Sequence, residues 1–126
     1  MSVKDKIAAA AAARAQGSAE AVQLCGEWVD VREMSLGQRS RVMDVGYTKG
    51  ARPTVVYERF YPALLTACVY DAASGQPVFG PGDEELINSL GAEDVDRIAA
   101  IALRLSGMDA EGVAGAKNAS GEASAA

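Results

Sequence analysis

Residues 61 to 90, YPALLTACVYDAASGQPVFGPGDEELINSL, break their regular pattern twice within one short stretch, which leaves room only for short elements. An apolar run from Tyr61 to Val69 meets the turn residues Asp71 to Gly75. A Pro77-Val78-Phe79 segment follows, and Gly80-Pro81-Gly82 resets the chain before a helix signal at Asp83. None of these groups has the pattern of a nucleophile beside a base. The segment therefore reads as part of a small mixed fold.

From Ala21 to Glu33 the apolar period is two: Val22 and Leu24 alternate with Gln23, and Val29 and Val31 alternate with Asp30 and Arg32. Gly26 supplies the positive φ that a tight hairpin needs, so two antiparallel strands joined at Gly26-Glu27 are expected. Trp28, as a large residue, is expected in the core or as sheet cover. Thr54 to Tyr61 is rich in β-branched and aromatic residues and predicts a third strand, stopped by Pro62. Pro62 suits the first turn of a helix, so residues 62 to 69 predict a short buried helix with Leu64, Leu65 and Cys68 inward.

Ser2 and Asp5 form a capping box for an alanine-rich helix from Val3 to Gln16, with Gly17 ending it. Ser35 and Gln38 form a second box, followed by Leu36, Val42, Met43 and Val45 at roughly helical spacing before Gly46 stops the run. Residues 46 to 53 carry two glycines and a proline and mark an exposed loop. Gln76 to Phe79 reads as a short extended piece held by Val78 and Phe79. Asp83 is expected to cap a helix with Glu84 and Glu85 in its first turn, Leu86, Ile87 and Leu90 inward, and Gly91 at its close. A last helix from Ala92 to Ser106 presents Val95, Ile98, Ala99, Ala102 and Leu105 on one face, with Glu93 and Arg97 paired on the wet side.

The fold class is thus α+β: a small antiparallel sheet of a hairpin plus a third strand, packed with three to four short helices and preceded by the alanine-rich helix. Three regions follow: an arm at 1–20, a compact domain at 21–106, and a tail at 107–126 expected to be disordered because it has little apolar mass to offset its ordering entropy.

Composition narrows the function. The chain has no histidine, which removes the commonest general base and transition-metal ligand. Cys25 and Cys68 are far from any CxxC spacing and sit in apolar-leaning segments, so two reduced, buried thiols are expected and no cofactor or metal is called for. No apolar run approaches the ~20 residues that cross a bilayer, and no signal pattern opens the chain, so it is expected to stay in the compartment where it is made. Net charge is −5, with six bases against four acids over 28–60 and three bases against ten acids over 71–126. A net-acidic chain without a Lys/Arg cluster has no electrostatic reason to hold nucleic acid. Paired carboxylates at Glu84/Glu85 and Asp94/Asp96 suit helix capping and solubility better than the two flanking acids of a hydrolase.

As a series, WVDVREMSLGQR from Trp28, YPALLTACVYD from Tyr61, SGQPVF from Ser74, GDEELINSL from Gly82 and the finish from Ile101 to Met108 resemble the tail assembly chaperones of long-tailed bacteriophages. The likeness covers roughly residues 22 to 106. The alanine-rich arm and the proline within the aromatic run depart from that family's pattern. The resemblance implies a non-catalytic protein of the host cytoplasm, not expected in the mature virion. Its implied partners are the tape measure protein, which it keeps soluble, the tail tube protein that polymerises around it, further copies of itself, and in many members a frameshifted longer form. No membrane or nucleic-acid partner is implied.

The family brings no catalytic motif, so interface residues are read from charge alone. Arg39, Arg41, Lys49 and Arg52 facing Asp83, Glu84, Glu85 and Glu93 of a neighbouring copy would give a head-to-tail contact that closes to a ring or winds into a helix. Rival readings are a structural tail or connector subunit of the virion, a small acid-pair hydrolase, and an adaptor unrelated to phages.

Overall fold

The computed structural model describes residues 2–17 and 19–108. In chain order these form α1 (Val3–Gly17), β1 (Ala19–Leu24), β2 (Glu27–Arg32), α2 (Leu36–Gly46), α3 (Tyr57–Cys68), β3 (Val69–Asp71), α4 (Glu84–Asn88) and α5 (Ala92–Leu105). The three strands make one antiparallel sheet in the order β1-β2-β3, so the class is α+β as expected. The expected disorder of the tail falls, from residue 109 onward, outside the described residues. Among the described residues no helix is long and apolar enough to cross a membrane.

The hairpin turns one residue earlier than expected. Leu24 faces Glu27, and the turn residues are Cys25 and Gly26, with φ of 52° and 84°. Two successive positive φ values are the signature of a type I′ turn, whose twist matches the flanking strands. Cys25 is therefore exposed at the hairpin tip, which corrects the expectation of two buried thiols; Cys68 is buried, and both are free. Val29 and Val31 point into the core, so period-two alternation turns Trp28 outward, where it is 59% exposed beside Gln23. The expectation of a core or sheet-covering tryptophan is overturned by that register.

The larger correction concerns the third strand. Residues 54 to 61 do not form it: Val55 makes only an isolated bridge with Tyr47, and from Tyr57 the chain is helical through Cys68. Pro62 is the sixth residue of α3, not its first turn, and cannot donate to the Glu58 carbonyl. That carbonyl accepts from the Asn88 side-chain amide at 3.0 Å instead. The helix continues because a neighbouring element supplies the missing donor. The third strand is Val69–Asp71, which pairs with β2 from Val31 to Val29. Beyond it the chain folds back, with the Gly75 N–H donating to the Asp71 carbonyl at 2.8 Å and the Val78 N–H to the Val69 carbonyl at 3.1 Å.

Helix α3 is the centre of the body, packed by α2, α4, α5 and β2, with Leu64, Leu65 and Cys68 inaccessible to solvent as expected. Helix α2 crosses it at Gly46, where a Cβ would stand 2.6 Å from Cδ2 of Phe60. The Ser35–Gln38 capping box is present in both directions. Of the apolar stripe expected on α2, only Val42 is buried; Leu36, Met43 and Val45 are exposed, because a helix meeting the core at one crossing hides few positions.

Around α4 the pattern is similar. Ile87 and Phe79 are buried, while Leu86 and Val78 are exposed. Asp83 does not cap α4 with its side chain; its Oδ2 accepts the Gly80 N–H at 2.7 Å and closes the preceding turn. Gly91 opens α5 rather than closing α4.

Helix α5 buries Val95, Ile98, Ala99 and Ala102. It ends where the Met108 N–H reaches the Leu103 carbonyl and the Gly107 N–H reaches that of Arg104, with Gly107 at φ 72°. Arg97 pairs with Asp94 at 3.2 Å, one residue closer than the expected Glu93, and donates to the Gln23 carbonyl at 2.8 Å. Arg104 pairs with Glu20, and the Met34 N–H donates to Ser106 Oγ at 3.0 Å, so α5 is tied to both ends of the hairpin. Among the described side chains of α1 none joins this core, and Arg14 is ion-paired with Glu33 of the body at 2.7 Å.

Candidate binding surface

Three elements leave a groove of about 580 Å³ between them, within the size range of ligand-binding pockets. Helix α3 contributes Tyr57, Phe60 and Tyr61, which share one face at spacings of three and four. Helix α5 contributes Asp96, Ala99, Ala100 and Leu103 on the same rule, and the two alanines give the groove its depth. Met43 of α2, Tyr47, Val55 and Met108 complete the rim.

The aromatic wall is mutually braced. Tyr47 meets Phe60 edge-on with centroids 5.8 Å apart, and Tyr61 lies 5.9 Å from Phe60 and 5.5 Å from Tyr57. Burial, reinforced by the nearby Asp96 carboxylate and by Tyr57, pushes the Tyr61 phenol above its ordinary value.

The groove extends at both ends. Past Met43 and Tyr47 it joins a hollow of about 530 Å³ lined also by Arg39, Ser40, Asp44, Thr48, Lys49 and Pro53. Past Tyr61 and Asp96 it joins a smaller one of about 130 Å³ against Ile87, Leu90, Ala92 and Val95. The three hollows share lining residues and together make up an apolar trough, with Arg39 and Lys49 lining the first and Asp96 the last.

Of the eight charged residues singled out from sequence, two line these hollows. Arg39 and Lys49 line the same hollow, with Lys49 paired to Asp44. Arg41 is exposed two positions along α2, roughly 200° round the helix from Arg39, and Arg52 is exposed in the loop. Glu84 and Glu85 are exposed on the first turn of α4, and Glu93 on that of α5. Asp83 is half-buried in its turn. The acidic four are thus gathered near the α4–α5 junction, whereas the basic four split between two directions.

Among the described residues no group of three Cys, Asp or Glu side chains is placed to hold a metal ion. Asp94 is paired with Arg97, whereas Asp96 lines the groove. Burial pushes the Cys68 thiol up to about 12, which makes it a poor nucleophile.

The aromatic wall was not anticipated, because reading residues 54 to 61 as a strand scatters Tyr57 and Phe60 to alternate faces. The three-and-four spacing of Tyr57, Phe60 and Tyr61 was the signal that could have found it. Comparison with protein-family models, with curated proteins and with solved structures finds no match to the chain.

Proposed function

We propose that the chain is a tail assembly chaperone of a long-tailed bacteriophage, a non-catalytic protein of the host cytoplasm that binds apolar helical segments of the tape measure protein until tail tube subunits polymerise around it. The observation that supports this reading is the trough: an apolar, aromatic-walled surface lined also by two methionines, the kind of surface that takes the apolar face of a helix. Methionine side chains adapt to varied apolar partners, which suits a client whose segments differ along its length.

Binding of this kind needs no acid, base or metal. It needs many weak sites along one filament, where effective concentration replaces single-site affinity. The test is titration of tape-measure-derived helical peptides into the protein, followed through Tyr57 and Tyr61 resonances. Saturable shifts confined to the groove support the reading. Shifts spread over the outer sheet face near Trp28, or none, refute it. Mass spectrometry of purified virions separates a chaperone from a structural subunit, which would remain in the particle.

A further inference from the structure

We propose that α1 of one copy docks in the groove of a second copy. Val3 and Ile7 lie against the floor formed by Phe60, Ala100 and Leu103, and Lys4 and Lys6 face the part of the trough that Asp96 lines. The first observation is the state of the arm. Its side chains from residue 2 to residue 14 are exposed, with Val3 at 71% and Ile7 at 64%. A fifteen-residue helix without cover is marginal in water, so its stability calls for a surface to pack on.

The second observation is shape. Val3 and Ile7 are four apart and share a face, and Lys4 and Lys6 flank that face on either side. The alanines from Ala8 to Ala13 allow close approach along a narrow trough. Arg14 is held on its own body by Glu33, and the eleven positions from there back to Val3 extend about 16 Å, which brings the apolar pair to a neighbour.

The third is charge. Helix α1 carries three bases, Lys4, Lys6 and Arg14, against Asp5 alone, whereas residues 83–96 carry six acids and no base. Of those acids Asp96 lines the groove itself, and Glu84, Glu85 and Glu93 are exposed on the first turns of α4 and α5. The basic set on α2 is the weaker candidate for the same acids, since Lys49 is paired with Asp44 and Arg39 and Arg41 point apart. Arm and groove are complementary in both apolar and charged character.

The exchange has a functional consequence that rests on the chaperone reading: the arm keeps the trough covered until a client segment displaces it. Covering an apolar trough in the unloaded protein would suppress indiscriminate aggregation.

The experiment places a photo-crosslinking phenylalanine at position 7 of the full chain and mixes isotopically light and heavy copies. Crosslinks between copies mapping to residues 96–103 are expected. The paired change Lys4→Glu and Lys6→Glu should weaken self-association by about tenfold, the size of effect expected when two exposed charge contacts reverse sign. Crosslinks confined to one chain, or falling outside the groove, overturn the exchange, as does a yield unaltered by Leu103→Glu. Added tape-measure peptide should abolish the crosslink; persistence of the crosslink with peptide bound overturns the displacement. If that peptide binds neither the native chain nor the arm-reversed variant while crosslinks form, the client reading fails and the exchange stands.

Discussion

The side-chain amide of Asn88 donates to the backbone carbonyl of Glu58 at 3.0 Å, replacing the hydrogen bond that Pro62 cannot make. Helix α3 carries a proline in its interior because α4 brings this donor to it. The bond is exposed, so Asn88→Ala should cost only about 0.5–1.5 kcal/mol. In a Pro62→Ala background, where the backbone N–H is restored, the cost should shrink. Urea denaturation of the four proteins in the cycle measures this; additive effects would mean that Asn88 does not serve the proline-vacated carbonyl.

Gly46 sets the distance between α2 and α3. An alanine there would place its Cβ 2.6 Å from Phe60 Cδ2 and 3.0 Å from the Phe60 Cα, the latter a backbone atom that cannot swing away. Gly46→Ala gains up to about 1 kcal/mol of helix propensity but should lose more to overpacking, for a net destabilisation of roughly 1 kcal/mol. The denaturant midpoint should fall. A stabilised variant would show that the crossing can open.

Ser35 and Gln38 satisfy each other's backbone N–H groups, at 3.2 Å and 2.9 Å. Ser35→Ala should cost about 1 kcal/mol, and Ser35→Asp should retain most of the stability. Equal losses from both would place the serine's contribution elsewhere than in the cap.

The two thiols should separate cleanly by reactivity. Cys25, exposed at the hairpin tip, should be modified by a thiol reagent at once in the native protein, and Cys68 only on unfolding. Because burial raises the Cys68 thiol from 9.0 to about 12, the unfolded chain releases its proton at a lower pH than the folded chain. This group's contribution to stability is therefore constant below pH 9 and declines from there to about pH 12. In Cys68→Ala the slope above pH 9 should become shallower, leaving the share of Tyr61, whose phenol burial also raises. An unchanged slope would assign it to other groups.

What sequence made legible follows the range of the interactions. Capping at Ser35, the apolar face of α5 and the valine alternation of the hairpin are local, and each appears where the pattern places it. The identity of residues 57–61 was not legible, because β-branched and aromatic content before a proline favours a strand until Asn88, thirty residues away, supplies the missing donor. The size of Trp28 and the helical spacing of Met43 suggest burial, but strand register and a single helix crossing turn both out. Of the charged residues chosen from sequence only Arg39 and Lys49 line the hollows, and the groove itself needed the corrected helix.

The most direct test of the chaperone account is co-expression with the tape measure protein that the account assigns as client, comparing the native protein with the paired variant Met43→Glu and Leu103→Glu. The account predicts that the client is soluble with the native protein and pellets with the groove variant, whose circular dichroism is unchanged. A client equally soluble with both, or equally insoluble with both, would contradict it.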